Sequence, residues 1–67
     1  MFVYDSPEYR EVTARAEKLS LDDLRELTRI VGIKFQSNDV IMEDYLSALS
    51  EADDNDAVYA YLGSKGV

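Results

Sequence analysis

Apolar residues recur at three- and four-residue spacing along most of the chain, the period of an α-helix with one buried face. Tyr9, Val12, Ala16 and Leu19 make the first such face. Ser6 supplies an N-cap, and Pro7 suits the first helical position, where its missing N–H costs nothing. This predicts a helix from Pro7 to about Lys18-Leu19. A second helix follows from Ser20, whose Ser20-Leu21-Asp22-Asp23 string is a relative of the capping box. Leu21, Leu24, Leu27, Ile30 and Val31 form its broad apolar face, with Arg25 and Arg29 one turn apart outside. Gly32 is placed to end it in a left-handed turn.

The period then changes. Ile33-Lys34-Phe35-Gln36 alternates apolar and polar residues and reads as extended chain. Phe2-Val3-Tyr4 is also β-prone, so the two segments either pair as a very short ribbon or pack separately on the helices. Ser37, Asn38 and Asp39 are all capping types and predict the start of a third helix, with Ile41, Met42, Tyr45, Leu46, Ala48, Leu49 and Ala52 on its inner side. Residues 51–56 read as a turn leading into a fourth helix, whose apolar face is Ala57, Val58, Tyr61 and Leu62 and whose end is marked by Gly63 and Gly66. The expectation is an all-α fold: residues 1–67 form a single small helical domain, a compact bundle of three to four short helices with an irregular loop after Gly32, at 33–38.

Composition narrows the chemistry. The 67 residues include no cysteine, no histidine and no tryptophan. Structural zinc sites of the Cys/His kind, disulfides, Cys–His nucleophiles and imidazole bases are therefore excluded. Burial in so small a domain only just offsets chain entropy, so good helices, tight packing or self-association must hold it together, and a homodimer is one open arrangement. No apolar run approaches the roughly 20 residues that span a bilayer, and the opening residues lack the basic stretch of a signal peptide. A cytoplasmic location, away from membranes, is the expectation.

Fourteen acids against seven bases give a net charge of −7, and they are unevenly spread. Residues 1–34 hold seven acids and six bases; residues 35–67 hold seven acids (Asp39, Glu43, Asp44, Glu51, Asp53, Asp54, Asp56) and Lys65 alone. An acidic half repels phosphate backbones and anionic membranes and attracts basic partners. The acids do not spell a calcium loop: counted from Asp54, the sixth position is Tyr59 rather than Gly and the twelfth is Lys65 rather than Glu. Carboxylate acid–base chemistry requires a concave, water-excluding pocket, for which a domain this size has little interior. Gly32, Gly63 and Gly66 are isolated and form no phosphate loop. The chain is read as non-catalytic, with neither cofactor nor metal.

Two family resemblances bear on function. Leu24, Leu27, Gly32, Ile33, Met42 and Leu46, within residues 19–49, resemble the helix–extended loop–helix modules: SAP domains, LEM domains and the Rho N-terminal domain. That likeness implies nucleic-acid binding for the SAP and Rho types, through basic residues at the loop and the next helix. Here the corresponding stretch is Gln36-Ser37-Asn38-Asp39, and only Arg25, Arg29 and Lys34 are placed to gather near the loop. Val31-Gly32-Ile33, Ala48-Leu49 and the run from Ala57 to Leu62 resemble a ubiquitin-associated domain. That likeness implies a protein-binding patch at Gly32, Ile33, Tyr61 and Leu62. Ser20-Leu21-Asp22 is similar to the Asp-Ser-Leu of acyl carrier proteins, but Leu19 stands where the Asp belongs, and capping accounts for Ser20.

The functional expectation is a small acidic module mediating protein–protein interaction, its partner a protein and plausibly a basic one, met by the 39–56 half. An exposed apolar patch near Phe35 or Tyr59 would serve as anchor, since aromatic residues dominate interfaces; alternatively Phe35 packs under the Phe2-Val3-Tyr4 segment. The competing class is a nucleic-acid module, in which Arg25, Arg29 and Lys34 converge on one face.

Overall fold

Short polar side chains start three of the four helices. In the computed structural model, which describes residues 1–67, α1 spans Pro7–Ala16, α2 Leu21–Ile30, α3 Met42–Ala48 and α4 Asn55–Ser64, and a 3₁₀ turn at Leu49–Glu51 continues α3. Ser6 Oγ accepts from the Tyr9 N–H at 3.2 Å, Ser20 Oγ from the Asp23 N–H at 3.1 Å, and Asp54 Oδ1 from the Ala57 N–H at 3.2 Å. Each satisfies one of the amides a helix start leaves open, worth about 1 kcal/mol.

α3 departs from the expected start at residues 37–39. The Ser37 hydroxyl is taken up locally by the Asp39 N–H at 3.0 Å, which makes a turn rather than a helix cap. The residue before the helix is Ile41, extended at φ −98° and ψ 169°. Asp44 reaches back to accept its N–H at 3.3 Å, the return half of a capping box. α1 also stops before Leu19: the Lys18 and Leu19 amides bond three residues back, to Arg15 and Ala16, and tighten the chain into a turn. Gly63 lies inside α4, and Gly66, at φ +74°, ends it.

No strand forms. The ribbon alternative is replaced by packing on helices: Phe2 is buried, donates its N–H to Ser50 O at 3.0 Å and meets the Tyr59 ring edge to face at 5.8 Å. α2 lies beside α3 and α1 beside α4, with further contacts of α1 to α3 and of α2 to α4. The radius of gyration is 10.6 Å, against about 11 Å for a compact chain of this length.

The core lies where the four helices meet. Val12, Ala16, Leu24, Leu27, Val31, Leu49, Ala52, Val58 and Leu62 are wholly enclosed. On α2 the buried stripe is narrower than its apolar face: Leu21 and Ile30 are about half exposed, while Thr28 is buried. Ile30 falls on the outward side of the helix, and Leu21 sits at its first, half-open turn. Thr28 is accommodated because its hydroxyl donates to Arg25 O at 3.0 Å, and no buried side-chain polar atom lacks a partner.

Urea unfolding checks this inner face. Leu24→Ala should cost about 2–5 kcal/mol, the range for emptying a filled core site. Ile30→Ala should change stability by no more than about 0.5 kcal/mol. Equal losses would show that the buried side of α2 is assigned wrongly.

Candidate functional site

The irregular stretch between α2 and α3 carries the largest cavity. α2 ends in a paired turn: Gly32, at φ +76°, donates to Arg29 O at 3.3 Å, and Ile33 donates to Thr28 O at 2.9 Å. This is the Schellman arrangement, which needs a left-handed residue where Gly32 stands. The chain then runs out along residues 34–40, and in this run no backbone N–H or C=O pairs with another backbone group. Ile33 points into the core, and the half-buried Phe35 meets Tyr45 edge to face, centroids 5.1 Å apart. Phe35 thus packs on Tyr45, while Phe2 of the N-terminal segment packs on Tyr59.

Arg25, Phe35, Ser37, Asn38, Val40 and Tyr45 line an open cavity of about 490 Å³ between α2, the 34–40 run and α3. Arg25 is the cation among them. The Tyr45 hydroxyl beside its guanidinium raises the Arg25 pKa, with a further push from Asp22, whose Oδ1 is 4.0 Å away. A second hollow of about 210 Å³ is lined by Met1, Phe2, Val3, Ser6, Glu8, Asn55 and Tyr59. Asn55 Nδ2 donates to Met1 O there at 3.0 Å.

The sequence-predicted residues thus separate. Phe35 and Tyr59 each line a cavity, and Gly32 is exposed at its turn. Leu62 is enclosed completely and Ile33 and Tyr61 nearly so, so they hold the core and offer no patch in this conformation. The Tyr61 hydroxyl donates to Asp23 O at 3.1 Å, and Lys65, 3.3 Å from Asp23, lies 5.5 Å from the Tyr61 ring centre. Of the three basic residues, Arg25 lines the larger cavity, while Arg29 and Lys34 are exposed outside its lining. Sequence reading missed Val40 and Tyr45 as cavity walls. Tyr45 sits at core spacing, and the one available signal was the length of chain between Gly32 and α3.

The ion pairs are as uneven as the charges. The three are Asp5–Arg10, Asp22–Arg25 and Asp23–Lys65, at 3.0, 4.0 and 3.3 Å. Every acid in them comes from residues 1–34. The seven acids of residues 35–67 are all exposed, and none is paired with a cation. No three carboxylates converge as a metal-binding group, and no helix is long and apolar enough to cross a membrane. No family model, curated protein or solved structure matches the chain.

Burial pushes the Tyr9 and Tyr61 phenols above their usual pKa, and the hydrogen bond Lys65 donates to Asp23 raises that of Lys65. All three groups bind protons more tightly folded than unfolded. Their contribution is complete below the unfolded values, near 10, and is lost as pH rises through the folded ones. Melting followed by circular dichroism between about pH 8 and 11 should show the midpoint falling above about 10, with a smaller fall for Tyr61→Phe. An unchanged midpoint would mean that these phenols ionise freely and are not core groups.

Proposed function

We propose that the chain is a non-catalytic interaction module whose acidic half, residues 39–56, receives a basic partner protein. The observation that supports this is the pairing pattern: seven exposed carboxylates in residues 35–67 have no cation, while the lone lysine of that half is spent on Asp23. Two of them serve the fold, Asp44 at the start of α3 and Asp54 at the start of α4. Asp39, Glu43, Glu51, Asp53 and Asp56 make no side-chain hydrogen bond. Such a surface steers cationic partners in and turns phosphates away. A nucleic-acid module needs several Lys or Arg on one face; the larger cavity here contributes Arg25 alone. A second copy of the chain brings the same −7 charge and is repelled.

The test is a titration with a lysine-rich peptide at about 50 and 200 mM salt, beside a mobility shift with a short DNA duplex. The peptide should bind and weaken at the higher salt, and the duplex should not shift. A variant carrying Asp39→Asn, Glu43→Gln, Glu51→Gln, Asp53→Asn and Asp56→Asn should stay folded, since it keeps both helix-start carboxylates, and should lose the peptide. Equal binding by that variant, or tight salt-sensitive binding of the duplex, would overturn the reading.

A further inference from the structure

We propose that the cavity between α2, the 34–40 run and α3 binds a small aromatic monocarboxylate, its carboxylate held jointly by Arg25 and the Tyr45 hydroxyl and its ring against Phe35 and Val40. The site is separate from the acidic surface assigned to a basic partner, and the proposal does not depend on that reading. The first ground is the Tyr45 side chain. Tyr9, Tyr45 and Tyr61 are all buried. Tyr9 donates its hydroxyl to Leu46 O at 3.3 Å, and Tyr61 donates to Asp23 O at 3.1 Å. Tyr45, only 3% exposed, gives its hydroxyl proton to no protein acceptor. Since no enclosed side-chain polar atom lacks a partner, that hydroxyl opens on the cavity its residue lines.

The second ground is the cation beside it. The Tyr45 hydroxyl lies next to the Arg25 guanidinium, whose one carboxylate contact is Asp22 Oδ1, 4.0 Å away and exposed. That long contact leaves the guanidinium fork open. Two donors, one of them charged, therefore meet at one wall with no acceptor between them. A carboxylate supplies what is missing: one negative charge and two oxygens in a plane that the fork matches.

The remaining walls set the body of the ligand. The volume of about 490 Å³ falls within the range of small-ligand pockets. Phe35, Val40 and the Tyr45 ring give it an apolar side. Ser37 and Asn38 add polar groups, and neither of their backbone amides has a protein partner. Arg25 is the only charge in the lining; Asp39, bonded in the chain to both Asn38 and Val40, stands outside it. One cation with carboxylates at 22 and 39 close by suits a monoanion. A phosphate or dicarboxylate brings a second charge with no second cation to meet it. A lysine or arginine side chain meets a like charge at Arg25. A wholly apolar ligand covers the guanidinium and the Tyr45 proton and leaves both unpaired, which is costly.

The experiment is a titration of the ¹⁵N-labelled full chain, followed by NMR, with 2-naphthoate, its uncharged amide 2-naphthamide, and the cation 2-naphthylmethylamine. The acid should shift the amides of Arg25, residues 35–40 and Tyr45 and saturate. The amide should bind at least about tenfold more weakly, the loss expected when a charge-assisted hydrogen bond is removed, and the amine should bind weakest. Arg25→Gln should weaken the acid by about tenfold or more and leave the amide unchanged. Tyr45→Phe, which keeps the buried ring, should weaken the acid by about threefold or more. Equal affinity for acid and amide, an Arg25→Gln variant that binds the acid as the natural chain does, or shifts confined to other residues would overturn the proposal. So would tighter binding of acetyl-Ala-Ala-Phe with a free carboxylate, which would assign the site to the ends of peptide chains.

Discussion

The left-handed turn at Gly32 directs the path of everything after it. A residue with a side chain held at φ +76° would cost about 1–2 kcal/mol, and a Cβ there would lie 2.6 Å from Asp53 Oδ2. Because glycine takes the turn without that cost, α2 stops where Val31 is still in the core, and two carbonyls that the helix end would leave open are satisfied at once. The neighbouring Val31 O accepts from the Asp53 N–H at 3.1 Å, which ties the end of α2 to the linker between the 3₁₀ turn and α4. Downstream, the chain leaves as extended backbone, where side chains alternate. Ile33 goes in, Lys34 out, Phe35 half in and Gln36 out. One backbone angle thereby places Phe35 against Tyr45 and opens the cleft beside Arg25.

The parts of this that were legible in the sequence share one property: their cause is local. Ser6 with Pro7 and Ser20 with Asp23 act within a few residues, and Gly32 acts on its own backbone, so the starts of α1 and α2 and the α2 end were readable, and the fourth helix was placed after the 51–56 turn. The core of α1 and α4 was readable because their apolar residues are few and keep one face. α2 offered more apolar residues than the core had room for, and spacing alone did not show that Thr28 would be buried while Ile30 stayed out. The start of α3 misled because three capping residues stand in a row, and Ser37 is satisfied by an amide two positions on instead of by a helix. For Phe35 the sequence left two places open, an exposed anchor or a seat under the N-terminal segment. Only packing decides that Phe2 fills the space beside Tyr59 and leaves Phe35 to Tyr45. The same holds for the cleft, whose lining comes from α2, the loop and α3 together.

The charge pattern follows a different logic. In residues 1–34 acids and bases nearly cancel, and the ion pairs there are exposed, of the kind worth 0–1 kcal/mol. In residues 35–67 nothing cancels. Helix starts absorb part of the excess, since Glu43, Asp44 and Asp56 lie in first turns, where the macrodipole favours them. Glu51 and Asp53 have no such reason to be acidic. Screening acts over about 10 Å at 0.1 M salt, less than the 17 Å shortest dimension of the molecule. A charge at the surface therefore acts mainly on its own side of the molecule.

That field and the cleft contribute differently to any complex. Two opposite charges 4 Å apart near a protein surface attract by about 4 kcal/mol before desolvation, but exposed pairs retain only about 0–1 kcal/mol of it. Such contacts accelerate encounter more than they set affinity. In protein complexes affinity comes chiefly from well-packed, buried apolar and aromatic anchors. The largest cavity, with Phe35, Val40 and Tyr45 among its walls, and the open run of donors and acceptors occur at one place, the stretch between Gly32 and α3. In a chain of 67 residues, seven consecutive positions leave their backbone groups to water, where helix would satisfy most of them. The helix cannot form there because Gly32 has already turned the chain and Ile33 is committed to the core. The constraint that completes the fold is the one that leaves this backbone open.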